Sequence, residues 1–158
     1  MKVPEQNRGL AEQDPDTLLA MVCWGEARNQ SPLGKAAVCH SILNRCKQKQ
    51  RAIWQVVTKK WQYTSLMPSD PNYPKLFKPV EHDGLGAWAA CWTAATEAMT
   101  GLSADPTNGA THYCVKGLWN LPPARPSRPK WHEAPPIASG TTVKKAEIGD
   151  HVFATTPW

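Results

Sequence analysis

The sequence predicts an α+β domain that is mainly helical, and three observations carry that expectation. Apolar residues recur at helical spacing in three stretches before residue 101. After Gly101 the pattern gives way to dense turn chemistry and short β-prone runs. The chain of 158 residues, 41% hydrophobic with eight Trp, has the size and composition of one domain with a substantial core. No internal repeat or interior linker divides it. Residues 1–13 read as a polar arm and residues 14–158 as the domain.

The arm carries acids, has no apolar centre and lacks a small-residue cleavage site, so it does not read as a signal peptide. Asp14 then suits an N-cap and Pro15 the first helical position, where a missing N–H costs nothing. The helix expected from Asp14 to Ala27 places Leu19, Val22, Cys23 and Glu26 at i, i+3, i+4 and i+7, on one face. Glu26 therefore points the way the apolar residues point. A carboxyl held against apolar neighbours keeps its proton to higher pH, as a general acid near neutrality must. The alternative is a glutamate that reaches the helix end or pairs with Arg28.

After the turn Arg28-Asn29-Gln30, Ser31-Pro32 repeats the cap-then-proline grammar. The second helix carries Leu33, Ala36, Ala37, Val38, Cys39, Ile42, Leu43 and Cys46 against a narrow polar stripe of Lys35, Ser41, Arg45 and Gln48, and is expected to be buried on two sides. His40 lies within it as a core histidine with a hydrogen-bond partner. Lys47 to Arg51 is a basic run, read as a solvated face. Ala52 to Thr58 makes a short helix with Ile53, Trp54, Val56 and Val57. Trp61-Gln62-Tyr63-Thr64 breaks the pattern, and a loop punctuated by Pro68, Pro71, Pro74 and Pro79 follows. Asp83 is the expected cap of a central buried helix from Gly84 to Thr100, with Leu85, Trp88, Trp92, Ala95 and Met99 as its core stripe and Gly101 as its end.

Asp105-Pro106-Thr107-Asn108-Gly109 is a turn, with Asp105 ordering it, and Ala110 to Val115 reads as a short strand. Leu121 to Pro136 is an irregular basic flap with Trp131 in its middle. Thr141-Thr142-Val143 and His151-Val152-Phe153 read as strands, with Ile148-Gly149-Asp150 turning between them.

Composition narrows the function classes. The longest apolar runs are too short for a bilayer. Cys23, Cys39, Cys46, Cys91 and Cys114 are odd in number, and three sit at apolar helical positions, which suits reduced thiols better than a secreted disulfide framework. The net charge of +5 favours an anionic partner: nucleic acid, a membrane face or a cell-wall polymer. No nucleic-acid motif accompanies the charge. A zinc site built from His112, Cys114, His132 or His151 lacks the Cys-x-x-Cys or His-Glu-x-x-His spacing.

Four separated pieces resemble one family. Trp24-Gly25-Glu26-Ala27-Arg28 with the helix ending Ile42-Leu43-Asn44-Arg45 resembles the Gly-Glu-Ala-Arg and Leu-Asn-Arg elements of the SleB-type cell-wall hydrolases, which include the spore-cortex-lytic enzymes. Gln62-Tyr63-Thr64 resembles that family's Gln-Phe-Ser, Asp105 to Tyr113 its Asp-Pro-Thr-x-Gly-Ala-x-x-Tyr hairpin, and Ile148 to Phe153 its closing Ile-Gly-x-His-x-Phe. The likeness spans about residues 14 to 154.

The resemblance implies a lysozyme-like fold with a small β element beside a cleft. It also implies cleavage of the bond between N-acetylmuramic acid and N-acetylglucosamine in peptidoglycan strands, with Glu26 as the catalytic acid. Gln62, Tyr63, His112, Tyr113 and His151 fall on motif positions and are assigned to sugar contacts and to the oxocarbenium-like transition state. The histidines have the alternative of holding the β element together. Trp131 resembles a family Pro-x-Trp and suits stacking on a sugar.

Glycoside hydrolysis ordinarily uses two carboxylates. Asp105, Glu133 and Asp150 are poor candidates for the second, which favours a lytic transglycosylase over a muramidase. No metal or other cofactor is expected, nor a nucleic-acid partner; a monomer with weak attraction to anionic membranes is.

The departures are Cys114-Val115 where the family has Tyr-Asn, Ala154 where it commonly has Tyr, and a longer Pro68–Asp83 loop and flap. They bear on sugar subsites and leave Glu26 untouched. A basic, reduced catalytic domain without an evident leader is expected to be a phage or prophage endolysin, held in the host cytoplasm until release and, by analogy, acting on a Gram-negative wall.

Overall fold

Pro15 opens α1 (Pro15–Ala27) in the computed structural model, which describes residues 1–59, 62–119 and 142–156. Asp14 sits at the N-cap position, but its carboxylate accepts no backbone N–H of the helix and takes Lys2 Nζ instead at 2.7 Å. At α2 (Pro32–Lys49) the expected cap does form: Ser31 Oγ accepts Gly34 N–H at 3.2 Å. Gln50 closes α2 in the left-handed conformation, with its N–H on Cys46 and Lys47 carbonyls. A short α3 (Ile53–Val57) follows.

The segment expected to be a loop after Gln62 holds two 3-10 turns, Thr64–Leu66 and Pro74–Phe77, which send Ser65, Leu66 and Leu76 inward. Proline there pre-sets φ for a tight turn, so structure forms without any helical period. Helix α4 (Pro79–Thr100) begins ahead of the expected start and breaks at Gly84 (φ 80°). Asp83 pairs with Arg28 at 3.1 Å, and Gly84 takes the non-helical position from which the long segment starts. Gly101, at φ 75°, ends the helix as expected.

The buried centre is α1 rather than α4. Every residue from Thr17 to Trp24 is buried, and α4 and α2 pack both on this helix and on each other. Helix α4 contributes Trp88, Cys91, Ala94, Ala95 and Ala98, while Leu85 and Met99 at the ends of its stripe are 57% and 40% exposed. On α2 the middle of the expected apolar face, Ala37, Val38, Cys39 and Ile42, is buried, Leu33 at its start is exposed, and Lys35, Ser41 and Arg45 of the polar stripe are buried too. His40 is buried, with its Nε2 2.9 Å from Ser103 Oγ. The arm is packed onto this body: Leu10 joins the core, and Trp88 Nε1 donates to the Lys2 carbonyl at 2.9 Å.

Three strands form one antiparallel sheet in the order β1-β3-β2: β1 (His112–Val115), β2 (Val143–Ile148) and β3 (His151–Thr155). A short α5 (Lys116–Trp119) follows β1. Tyr113 pairs with Phe153 and Val115 with His151, so these side chains share one face; His112, Cys114, Val152 and Ala154 lie on the other. The Tyr113–Phe153 face meets the helical core. No helix among the described residues is long and apolar enough to cross a membrane.

Candidate active site

The last turn of α1 carries Glu26 out of a fully buried run to the place where the 64–66 turn and β1 converge. Gly25 makes that convergence possible. A Cβ on Gly25 would stand 2.6 Å from Ser65 Oγ and 3.0 Å from Leu76 Cδ2, so any larger residue pushes the turn away. With glycine there, Ser65 Oγ donates to Glu26 Oε1 at 2.5 Å, and the Ser65 N–H approaches the same oxygen at 3.4 Å. From the sheet side, the Tyr113 hydroxyl donates to Oε2 at 3.3 Å.

Burial raises the Glu26 pKa above that of an ordinary glutamate, and the donors from Ser65 and Tyr113 offset only part of the rise. The like charge of Asp70 adds a smaller push upward. Asp70, in the 67–73 loop, is an acid that periodicity did not single out. Its Oδ1 accepts the Asn72 N–H at 2.7 Å, a local turn contact that leaves no helical or strand pattern to notice. Ser65 was missed for a similar reason: it is one residue beyond the Gln62-Tyr63-Thr64 element, in a turn without a repeating pattern.

The alternative role for Glu26, a surface pair with Arg28, does not occur. Arg28 lies over the Trp24 ring, 4.6 Å from its centroid, and pairs with Asp83.

The other expected site residues fall into two groups. Tyr63, Tyr113 and His151 line up beside Glu26: the two tyrosine rings are 6.3 Å apart, and His151 meets Tyr113 edge-on at 5.2 Å. Burial pushes Tyr63 up to about 12 and Tyr113 well above the ordinary tyrosine value, so both phenols keep their protons as donors. Burial also lowers His151, which stays neutral, and its Nδ1 is buried without a partner among the described residues.

His112 faces the other way. Its Nδ1 lies 3.0 Å from Thr111 Oγ1, and burial, then Arg45, Lys49 and Lys59, lower its pKa to about 3. Gln62 is half-buried at the head of the 64–66 turn, its N–H on the Lys59 carbonyl. Trp131, with Glu133, His132 and the proline-rich flap, lies outside the described residues.

The register also separates the residues of a zinc site, because His112 and Cys114 lie on one face of the sheet and His151 on the other. Among the described residues no group of three or more His, Cys, Asp or Glu is placed to hold a metal.

The remaining motif positions brace the site. Asn44 Nδ2 donates to Asp105 Oδ2 at 2.8 Å and to the Ala110 carbonyl at 3.0 Å, tying α2 to the hairpin that leads into β1. Burial pushes the Asp105 carboxyl up, but hydrogen bonds from Thr107, Asn44 and Gly109 outweigh it and hold its pKa below the ordinary value. Asp105 is thus an ionised turn-former, as expected. Asp150 is engaged as well: Gln30 Nε2 donates to its carboxylate at 2.9 Å.

Comparison with known proteins agrees with this architecture. The model of the Cell Wall Hydrolase family matches residues 29–154, starting just after Gly25-Glu26-Ala27-Arg28. Among solved structures, the catalytic domain of the germination-specific lytic transglycosylase SleB from Bacillus anthracis is similar at 20% identity and a TM-score of 0.61, over 89% of this chain and 93% of that one. The catalytic domain of the Bacillus cereus SleB protein is similar at 21% identity over 97% of this chain and 95% of that one, with a TM-score of 0.44. The search of curated proteins gave no match. The chain belongs to the Cell Wall Hydrolase family, is an enzyme of that class, and has the mainly helical SleB catalytic-domain fold with a small sheet.

Proposed function

We propose that this cell-wall hydrolase cleaves peptidoglycan glycan strands between N-acetylmuramic acid and N-acetylglucosamine, acting as a lytic transglycosylase with Glu26 as acid and then base. The observation that carries the reading is the Glu26 carboxyl itself, part-buried at the end of α1 and held by Ser65 on one oxygen and Tyr113 on the other. Burial keeps the proton available for the glycosidic oxygen, and the two donors hold the carboxylate left behind. The proton moves from Glu26 to the departing N-acetylglucosamine oxygen as the bond to muramic acid C1 breaks. The muramic acid 6-hydroxyl then bonds to C1 and returns its proton to Glu26, giving a 1,6-anhydro product without consuming water.

Hydrolysis by the same Glu26 is the second reading, and Asp70 favours it, because a second carboxylate near the acid can position water. Tyr63, Tyr113 and His151 on the Glu26 side contact the sugar in either case, Gln62 adds a further contact, and Trp131 keeps the stacking role that its Pro-x-Trp motif suggests. His112 on the opposite face acts through the sheet. The net charge of +5 suits an anionic wall polymer, and the buried cysteines Cys23, Cys39, Cys91 and Cys114, none of them in a disulfide among the described residues, suit an enzyme stored in a reducing host cytoplasm, as an endolysin is.

Digestion of purified peptidoglycan followed by mass spectrometry tests the reading. Wild type should release anhydro-muropeptides, Glu26→Gln none, and Asp70→Asn the same anhydro products. Hydrated reducing ends that disappear in Asp70→Asn would establish the hydrolase instead. Cleaved peptide bonds on intact glycan would overturn both.

A further inference from the structure

A hollow of about 250 Å³ opens where α2 meets α3, lined by Arg45, Lys49, Arg51, Gln55, Val56 and Lys59. Four of these six residues are cationic and none is acidic. Arg45 is 7% exposed and its positive charge acts on the Tyr63 phenol, yet among the described residues it has no ion-pair partner, nor do Arg51 and Lys59. A guanidinium buried this deeply is costly without a counter-charge. The positive field already reaches a neighbour: after burial, Arg45, Lys49 and Lys59 are what keep His112 neutral to about pH 3.

The hollow is linked to the candidate catalytic centre through Tyr63 and Tyr113. The Arg45 charge acts on Tyr63, the Tyr63 ring lies 6.3 Å from Tyr113, and the Tyr113 hydroxyl donates to Glu26. Its volume is below the roughly 300–1,000 Å³ of sites that enclose drug-sized ligands, so it suits one or two acidic residues rather than a disaccharide. Peptidoglycan supplies such groups beside the glycosidic bond, because muramic acid bears the acidic stem peptide.

We propose that this hollow is a stem-peptide subsite, in which Arg45 and the lysine and arginine rim bind peptide carboxylates and so select peptide-bearing strands. A planar guanidinium matches a carboxylate two-pronged, and the rim cations add attraction at longer range. The inference rests on the peptidoglycan reading above.

The test compares wild type with Arg51→Gln/Lys59→Gln, which leaves Arg45 and Tyr63 in place, on intact peptidoglycan and on the same strands stripped of peptides by an amidase. The double variant should raise KM on intact strands on the order of tenfold at unchanged kcat, and leave KM on stripped strands unaltered. An equal effect on both substrates, or none on either, overturns the subsite.

A second measurement does not depend on cleavage. Calorimetric titration of the full chain with a soluble disaccharide-peptide should show salt-sensitive binding, lost when its carboxylates are converted to amides and weakened in the double variant. Equal binding of the amidated fragment also overturns the proposal. Binding that passes this test in a chain that cuts no glycan would sink the proposed function and leave the subsite standing.

Discussion

At the scale of single residues, the site depends on how closely the 64–66 turn approaches α1. Gly25→Ala places a methyl 2.6 Å from Ser65 Oγ and 3.0 Å from Leu76 Cδ2. Leu76 is fully buried and the turn's own backbone is tied down, so overpacking here should cost about 1–3 kcal/mol of stability. Activity should fall further than that loss explains, because Ser65 moves off Glu26. Ser65→Ala separates the two effects. It keeps the packing and removes a donor that lowers the Glu26 pKa, so the alkaline limb of the kcat/KM profile should move to higher pH. An unmoved limb would mean that Ser65 does not tune the acid. The raised pKa of Glu26 was legible in the sequence because its neighbours on the helix face are apolar and a helix imposes its period on everything it carries. Ser65 and Asp70 were not, because a residue in a turn reaches its target through chain geometry that no spacing encodes.

At the scale of elements, the helical half and the sheet meet at a lock that motif reading passed over. Gln30, in the turn between α1 and α2, donates to Asp150 Oδ2 at 2.9 Å and accepts the Asp150 N–H at 3.2 Å. Gly149 makes room for it: its φ is 57°, and a Cβ there would stand 2.3 Å from Gln30 Oε1. Gly149→Ala should therefore carry two costs, roughly 1–2 kcal/mol of left-handed strain and the loss of the Gln30 contacts when that side chain swings away. In a Gln30→Ala background only the strain remains. The two substitutions should be less than additive in urea unfolding, and strict additivity would show that the lock contributes nothing. The elements themselves differ in how readable they are. Ser31-Pro32 announces α2 because the hydroxyl does cap, whereas Asp14 and Asp83 have the right chemistry but are drawn into ion pairs with Lys2 and Arg28. A carboxylate at a helix start has rivals for its charge that a serine hydroxyl lacks. The burial of Arg45 and Lys35 on the polar stripe of α2 was equally invisible, since it is decided by elements distant in sequence.

At the scale of the whole molecule, burying a histidine among cations ties folding to pH. His112 titrates near 6.5 when the chain is unfolded and near 3 when folded. Between those values the unfolded chain binds the extra proton, so stability falls as pH drops from about 6.5 toward 3 and is flat above that window. The loss should reach a few kcal/mol, on the order of one 1.4 kcal/mol step per pH unit. Glu26 runs the other way: its raised pKa means a penalty that is present above its folded value and disappears as the pH falls. Asp105, held below its ordinary value, adds loss only as pH falls below about 3.8. Urea midpoints are therefore best compared at pH 7.5, 6, 5 and 4 in a Glu26→Gln chain, which should also be more stable than wild type at pH 7.5. In that background His112→Gln should reduce the slope between pH 6.5 and 4, leaving the smaller part that His151, also lowered by burial, carries, even where the substitution lowers stability throughout. A slope unchanged by His112→Gln would place the proton elsewhere, and the positive field around Arg45, Lys49 and Lys59 would then be weaker than the buried histidine implies.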